Sequence, residues 1–162
     1  MKKKLFYLFL LLMSILSAVL AAGCFPRVSA DSAEANLSTS PYLFSQQNED
    51  VAFTIKDNKF FADTDEITLI FKNKSDTDYF YGTISYIESK SDGNWYSIPI
   101  KENVYWTMIG YQIPANSSTE QVFSIHTYYH DLQSGEYRIV KMISMTDDPQ
   151  KSSYVFAEFT VE

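Results

Sequence analysis

The chain has 162 residues and a formal charge of −7, enough length for one domain and little more. Its 12 Tyr, 12 Phe and 2 Trp exclude a disordered tail or a coiled coil. The single Cys excludes an internal disulfide and a Cys-based zinc cluster, and the acidic balance argues against nucleic acid, whose phosphates need Lys and Arg.

The first element is an address rather than part of a fold. Lys2, Lys3 and Lys4 form a positive start, and Leu5 to Ala22 is an uncharged, mostly apolar run of 18 residues. That length is borderline for crossing a bilayer, so length alone does not separate a signal peptide from a membrane helix. The run ends in Leu20-Ala21-Ala22-Gly23-Cys24. This ending resembles the lipobox of bacterial lipoproteins, with Ala at the position where Leu is commonest. The resemblance implies a diacylglyceryl group on the Cys24 thiol and cleavage between Gly23 and Cys24. Two acyl chains are enough for stable anchoring. The expected organisation is therefore a signal peptide over 1–23, a lipidated Cys and flexible tether over 24–49, and a domain over 50–162. The membrane would be a partner through Cys24, and the domain would face the extracellular side. Without Lys2, Lys3 and Lys4, ten basic residues stand against twenty acidic ones, a charge of −10. Such a chain is repelled by anionic membrane surfaces and wall polymers.

Phe25 to Glu49 is rich in Ser, Ala, Asn and Gln and lacks a sustained apolar period, which predicts a tether spanning roughly 25–30 Å. Tyr42, Leu43 and Phe44 are its apolar exception and are expected to pack on the domain as a short strand. From Asp50 onward the chain reads as strand after strand. Val51, Phe53 and Ile55 alternate with Ala52, Thr54 and Lys56, and Ile67, Leu69 and Phe71 alternate with Thr68 and Lys72. Tyr79 to Glu88 reads as one aromatic, β-branched strand. Ser91-Asp92-Gly93-Asn94 predicts a tight hairpin returning along Trp95 to Ile98. Pro114 to Ser117 is a further turn. Gln121 to Thr127, Gly135 to Met145 and Ser153 to Val161 complete about eight strands. No window carries a helical period of useful length, and the spacing predicts an antiparallel sandwich or barrel.

Leu132-Gln133-Ser134-Gly135-Glu136-Tyr137-Arg138-Ile139 resembles the tyrosine corner of immunoglobulin-like sandwiches. In that arrangement the Tyr137 hydroxyl would bond backward to the backbone at the E–F corner and pin the crossover between sheets. Ile139 takes the place of the usual Cys, packing against Leu69 or Phe71. Further pieces are Tyr79-Phe80-Tyr81-Gly82, Gly93-Asn94-Trp95-Tyr96, Ile113-Pro114-Ala115-Asn116 and Ala157-Glu158-Phe159. Together over 50–162 they resemble the bacterial Ig-like domains of Gram-positive lipoproteins. The resemblance implies an all-β immunoglobulin-like sandwich of about seven to nine strands, with no catalytic residues. Leu132, Gly135, Tyr137, Ile139 and Trp95 would be structural, with Trp95 covering one end of the core.

Candidate chemistry is sparse. His126 and His130 could share a metal only on a helix, where i and i+4 are neighbours; on a strand they would stand roughly 13 Å apart. No metal is expected there. Asp63-Thr64-Asp65-Glu66 offers oxygens to Ca²⁺ but lacks the spacing of an EF-hand loop. Asp147-Asp148 before Pro149 reads as a solvated turn. No nucleophile motif or Gly-rich phosphate loop is present, so neither an enzyme nor a cofactor is expected. The candidate binding residues are Tyr105, Trp106 and Tyr111, with Tyr128 and Tyr129, because exposed aromatic rings anchor proteins or stack on sugars. The competing reading places the same rings in the core. The expected function is a lipid-anchored surface protein that binds another protein or supports envelope assembly; the alternative is a carbohydrate or small ligand.

Overall fold

The computed structural model of the protein describes residues 37–43 and 46–162. Gly23, Cys24 and Phe44 lie outside the described residues. Among the described residues, eleven strands form two sheets packed face to face. The smaller sheet joins β2 (Val51–Ile55), β4 (Glu66–Asn73) and β9 (Ser118–Ser124), all antiparallel. Its strands alternate as the sequence does: Val51, Phe53 and Ile55 point inward, opposite Asn73, Phe71 and Leu69.

The larger sheet runs β1 (Ser38–Thr39), β7 (Asn94–Ser97), β6 (Tyr86–Ser91), β10 (Gly135–Met145), β11 (Ser152–Val161) and β3 (Lys59–Phe60). β10 is long enough to pair with two strands along one edge. Its first half pairs with β6, from Tyr137↔Ser89 to Val140↔Tyr86. Its far half pairs with β5 (Tyr79–Gly82), from Ile143↔Tyr81 to Met145↔Tyr79. The next row is divided at the same level, with β7 on β6 and β8 (Gly110–Ile113) on β5.

The core between the sheets includes Leu69, Phe71, Ile87, Ile113, Ile139 and Ile143, all without exposure. A ladder of stacked rings crosses it, Phe53 on Phe71 at 4.6 Å and Phe71 on Tyr81 at 4.2 Å. The β6–β7 hairpin turns at Asp92 (φ 49°) and Gly93 (φ 76°). Two consecutive positive φ angles suit the right-handed strand twist, and Gly93 supplies one without steric cost.

Four sequence expectations are corrected. Tyr79 to Glu88 is two strands, not one, because the ladder lapses between Gly82 and Tyr86. β9 stops at Ser124, and Ile125–Tyr128 forms a single helical turn, α1. The Ser124 side chain accepts from the Thr127 amide, and Asp65 accepts from the His126 amide at 3.0 Å, so the turn's first donors are satisfied locally. The Ser124 hydroxyl, donating to Asp65 at 2.7 Å, and then the His126 amide hold the Asp65 carboxyl below its ordinary pKa. Trp95 covers no end of the core; its ring lies over the Arg138 guanidinium at 4.6 Å on the outer face of the large sheet. The short strands β1, β3 and β8 also escape the sequence pattern, being too short to show a period.

Part of the expected tether lies against the domain. Ser38 and Thr39 pair with Ser97 and Tyr96, and the Tyr42 ring sits 4.8 Å from Tyr154 and 5.4 Å from Tyr86. Leu43 is exposed.

Candidate functional site

The interrupted strands create a gap in the large sheet, and buried polar side chains fill it. Backbone groups freed at Gly82–Ser85 have no strand partner, so they need other donors and acceptors. The Lys141 amine donates to the Gly82 carbonyl at 2.7 Å and to the Ser85 hydroxyl at 3.1 Å. The Tyr129 hydroxyl donates to the Ser85 carbonyl at 2.8 Å and accepts from the Ile87 amide at 3.2 Å. Both side chains are fully buried. Burial lowers the Lys141 pKa to about 7 and raises that of Tyr129.

Tyr129 is therefore a core residue and not a binding residue. Its hydroxyl replaces a lapsed strand contact, and no partner could reach its ring.

The second half of the gap is the segment 98–109 that separates β7 from β8. It crosses toward α1, where the Lys101 amide donates to the Tyr128 carbonyl at 2.8 Å and its amine to the His126 carbonyl at 2.6 Å. Trp106 lies half-buried, stacked on Tyr128 at 3.8 Å with planes 16° apart, and near Phe123. It packs against the core cluster, which makes it a plug at the sandwich edge. Tyr128 backs this plug. Thr83 donates to the Thr107 carbonyl and ties the segment to the strand break.

Three apolar side chains of this segment face solvent. Tyr105 is 82% exposed, Met108 fully and Ile109 52%. Tyr111, on β8, is partly covered by its stack on Tyr81 at 5.3 Å. The sequence reading singles out this segment but does not divide it into buried and exposed side chains. Met108 and Ile109 lie inside the stretch that the sequence singles out, where only the aromatic residues are candidates.

The other named residues hold the frame. The Tyr137 hydroxyl donates to the Gln133 carbonyl at 2.6 Å, four residues back, with Leu132 and Ile139 buried beside it. A Cβ on Gly135 would lie 3.6 Å from the Tyr137 ring, so the ring folds directly over that residue. Tyr137→Phe is expected to lower stability by about 1–2 kcal/mol, because the Gln133 carbonyl loses its donor. Urea melts check this, and a neutral substitution would show that the bond holds nothing.

His126 stands between Asp65 at 3.8 Å and Asp131 at 3.6 Å. Among the described residues no group of three or more His, Cys, Asp or Glu is placed to hold a metal ion.

A second polar cluster lies on the outer face of the large sheet. Arg138 Nε donates to Glu88 Oε2 at 2.6 Å, with both side chains buried. The guanidinium lies between Trp95 and Phe156, 4.6 and 4.5 Å from the ring centres. Its Nη2 donates to the Ser40 hydroxyl and the Tyr42 carbonyl at 3.2 and 3.3 Å. The segment 38–42 thus forms the lid over a buried ion pair.

No curated protein matches the sequence. Among solved structures, the self-complemented MyfA major subunit of Myf fimbriae from Yersinia enterocolitica is 16% identical. The match covers 69% of this chain and 98% of that one, with a TM-score of 0.38. The archaellum periplasmic stator protein FlaG from Sulfolobus acidocaldarius is 15% identical over 67% of this chain and 99% of that one, with a TM-score of 0.38. Both likenesses are too loose to transfer a role. The bacterial Ig-like domain family matches residues 47–160, which span both sheets and the tyrosine corner. The chain belongs to the bacterial Ig-like domain family.

Proposed function

We propose that this chain is an exported, non-enzymatic lipoprotein, anchored through Cys24, whose Ig-like domain binds a protein through the segment 105–111. One observation carries the binding face: Tyr105, Met108 and Ile109 project together from a segment whose neighbours Trp106 and Thr107 are tied down. Apolar side chains held outward on a fixed base are characteristic of protein anchors, since little ordering entropy remains to be lost on binding. A sugar platform is less well supported, because Tyr128 occupies one face of the Trp106 ring. The non-enzymatic reading rests on the buried polar groups, which are engaged in structure. Asn73 donates to the carbonyls of Thr77, Ile113 and Pro114, Lys141 fills the strand gap, and Glu88 pairs with Arg138. The anchor is supported by the lipobox-like run ending at Cys24.

The test is photo-crosslinking in intact cells, with the reactive amino acid at position 105 or, as a control, at Thr54 on the far sheet. A heavier product at 105 only, lost with Met108→Ala/Ile109→Ala, is expected. Equal products at both positions, or none, would overturn the binding face. Trp106→Ala does not discriminate, since it also unpacks the sandwich edge. In the same cells Cys24→Ala is expected to abolish lipid labelling; unchanged labelling would remove the anchor.

A further inference from the structure

β8 pairs with β5 on one side, and among the described residues no other strand pairs with its outer edge. An open edge presents a row of backbone donors and acceptors, which proteins ordinarily guard with charge, Pro or extreme shortness. The other outer strands of this fold carry such guards. β3 is two residues long and bears Lys59, paired with Glu162 at 2.6 Å. β9 bears exposed Glu120, β2 runs into Lys56 and Asp57, and β1 has two residues. β8 bears no charge: Val104 to Thr119 contains no charged residue in a chain that is 20% charged, and Pro114 lies just past the strand. Gly110, Tyr111 and Gln112 are exposed, and Met108 and Ile109 continue the same edge as bare apolar side chains.

We propose that this edge pairs with the same edge of a second copy of the chain, β8 against β8 in antiparallel register. The inference rests on the protein-binding reading above and names the partner of that face. Two acidic molecules repel each other, so they approach at least cost where neither presents charge, and β8 is that place. An antiparallel self-pairing is two-fold symmetric, so the same short edge serves both molecules and the contact closes as a dimer. The large sheet would then run through both copies, and Met108 and Ile109 of each would be removed from water. Four paired residues and a loop tip bury less than the roughly 1,200–2,000 Å² of a standard stable interface. Association is thus expected to be weak in free solution and effective where anchoring raises the local concentration.

Sedimentation velocity of the full chain in density-matched detergent, over a hundredfold range of concentration, tests this. The wild-type mass is expected to rise toward twice the chain, and Gly110→Lys is expected to stay at one chain throughout. A Cβ on Gly110 meets nothing within 4 Å, so this substitution leaves the fold intact. Gln112→Lys, also exposed, is a second guard that should act alike. A wild type that stays at one chain throughout would overturn the proposal, and so would association unchanged by both variants. The crosslink at position 105 separates the two readings. A product of twice the chain's mass supports both. A product with a different protein leaves the binding face standing and overturns self-pairing. With no product at all, both fail.

Discussion

Raising the pH from about 7 to about 10 is expected to stabilise the wild-type domain and to leave Lys141→Met flat. Lys141 lies on β10 and points into the sandwich with Ile139 and Ile143, its amine 4.9 Å from the centre of the Tyr81 ring. Burial disfavours its charged form and lowers its pKa to about 7, against about 10.4 for an unfolded lysine. Below about 7 both states hold the proton, and stability does not change with pH through this group. Between the two values the unfolded chain still binds a proton that the folded chain has released. Stability therefore climbs with pH, by at most about 1.4 kcal/mol per pH unit. Above about 10 the buried tyrosines reverse the trend. Burial holds Tyr81 up at about 12 and raises Tyr42 and Tyr129 further, so the unfolded chain loses those protons first. The wild type should show a maximum near pH 10, and Lys141→Met should keep the fall without the rise. The variant also leaves the Gly82 carbonyl and the Ser85 hydroxyl without their donor, which lowers its curve by about 1–3 kcal/mol at every pH. The slope, not the offset, is therefore the readout. Urea midpoints at constant ionic strength measure it, and parallel curves for the two proteins would refute the account.

Glu88→Gln is expected to destabilise the domain by about 3–5 kcal/mol, a large share of the 5–15 kcal/mol that holds a typical domain. The substitution keeps the size of the side chain and removes the Glu88 charge from beside the buried Arg138 guanidinium. Replacing both partners, with Glu88→Met and Arg138→Met together, is expected to recover most of that loss. An apolar pair of similar volume carries no desolvation penalty, whereas a broken ion pair carries all of it. The double variant also removes the donor that holds the Ser40 hydroxyl and the Tyr42 carbonyl. Its amide protons in 38–42 should then exchange faster than in wild type while those of β10 stay protected. A double variant as unstable as the single one would show that the pair is not the source of the loss.

The strand pattern and the tyrosine corner were legible because each is local. Alternation in β2 and β4 places side chains by a period of two, and the Gly135–Tyr137 spacing brings a hydroxyl back over its own turn. The break in Tyr79 to Glu88 was not legible, since Gly82, Ile84 and Tyr86 continue a plausible strand pattern. What fills the break there is Lys141 and Tyr129, which arrive from chain segments more than forty residues away. The aromatic segment was recognised as a unit and misread within, because Trp106 and Tyr105 are neighbours in sequence with opposite surroundings in space.

By itself the sequence determined the β class, the turn at Asp92-Gly93 and the family, since these follow from alternation, backbone preference and local motif. Only the tertiary structure decided that Trp106 is half-buried and Tyr129 buried, that Lys141 mends a gap, that residues 38–42 cover an ion pair, and that β8 is left open. Burial and strand pairing depend on which distant segments meet, and the composition of one segment does not determine its partner.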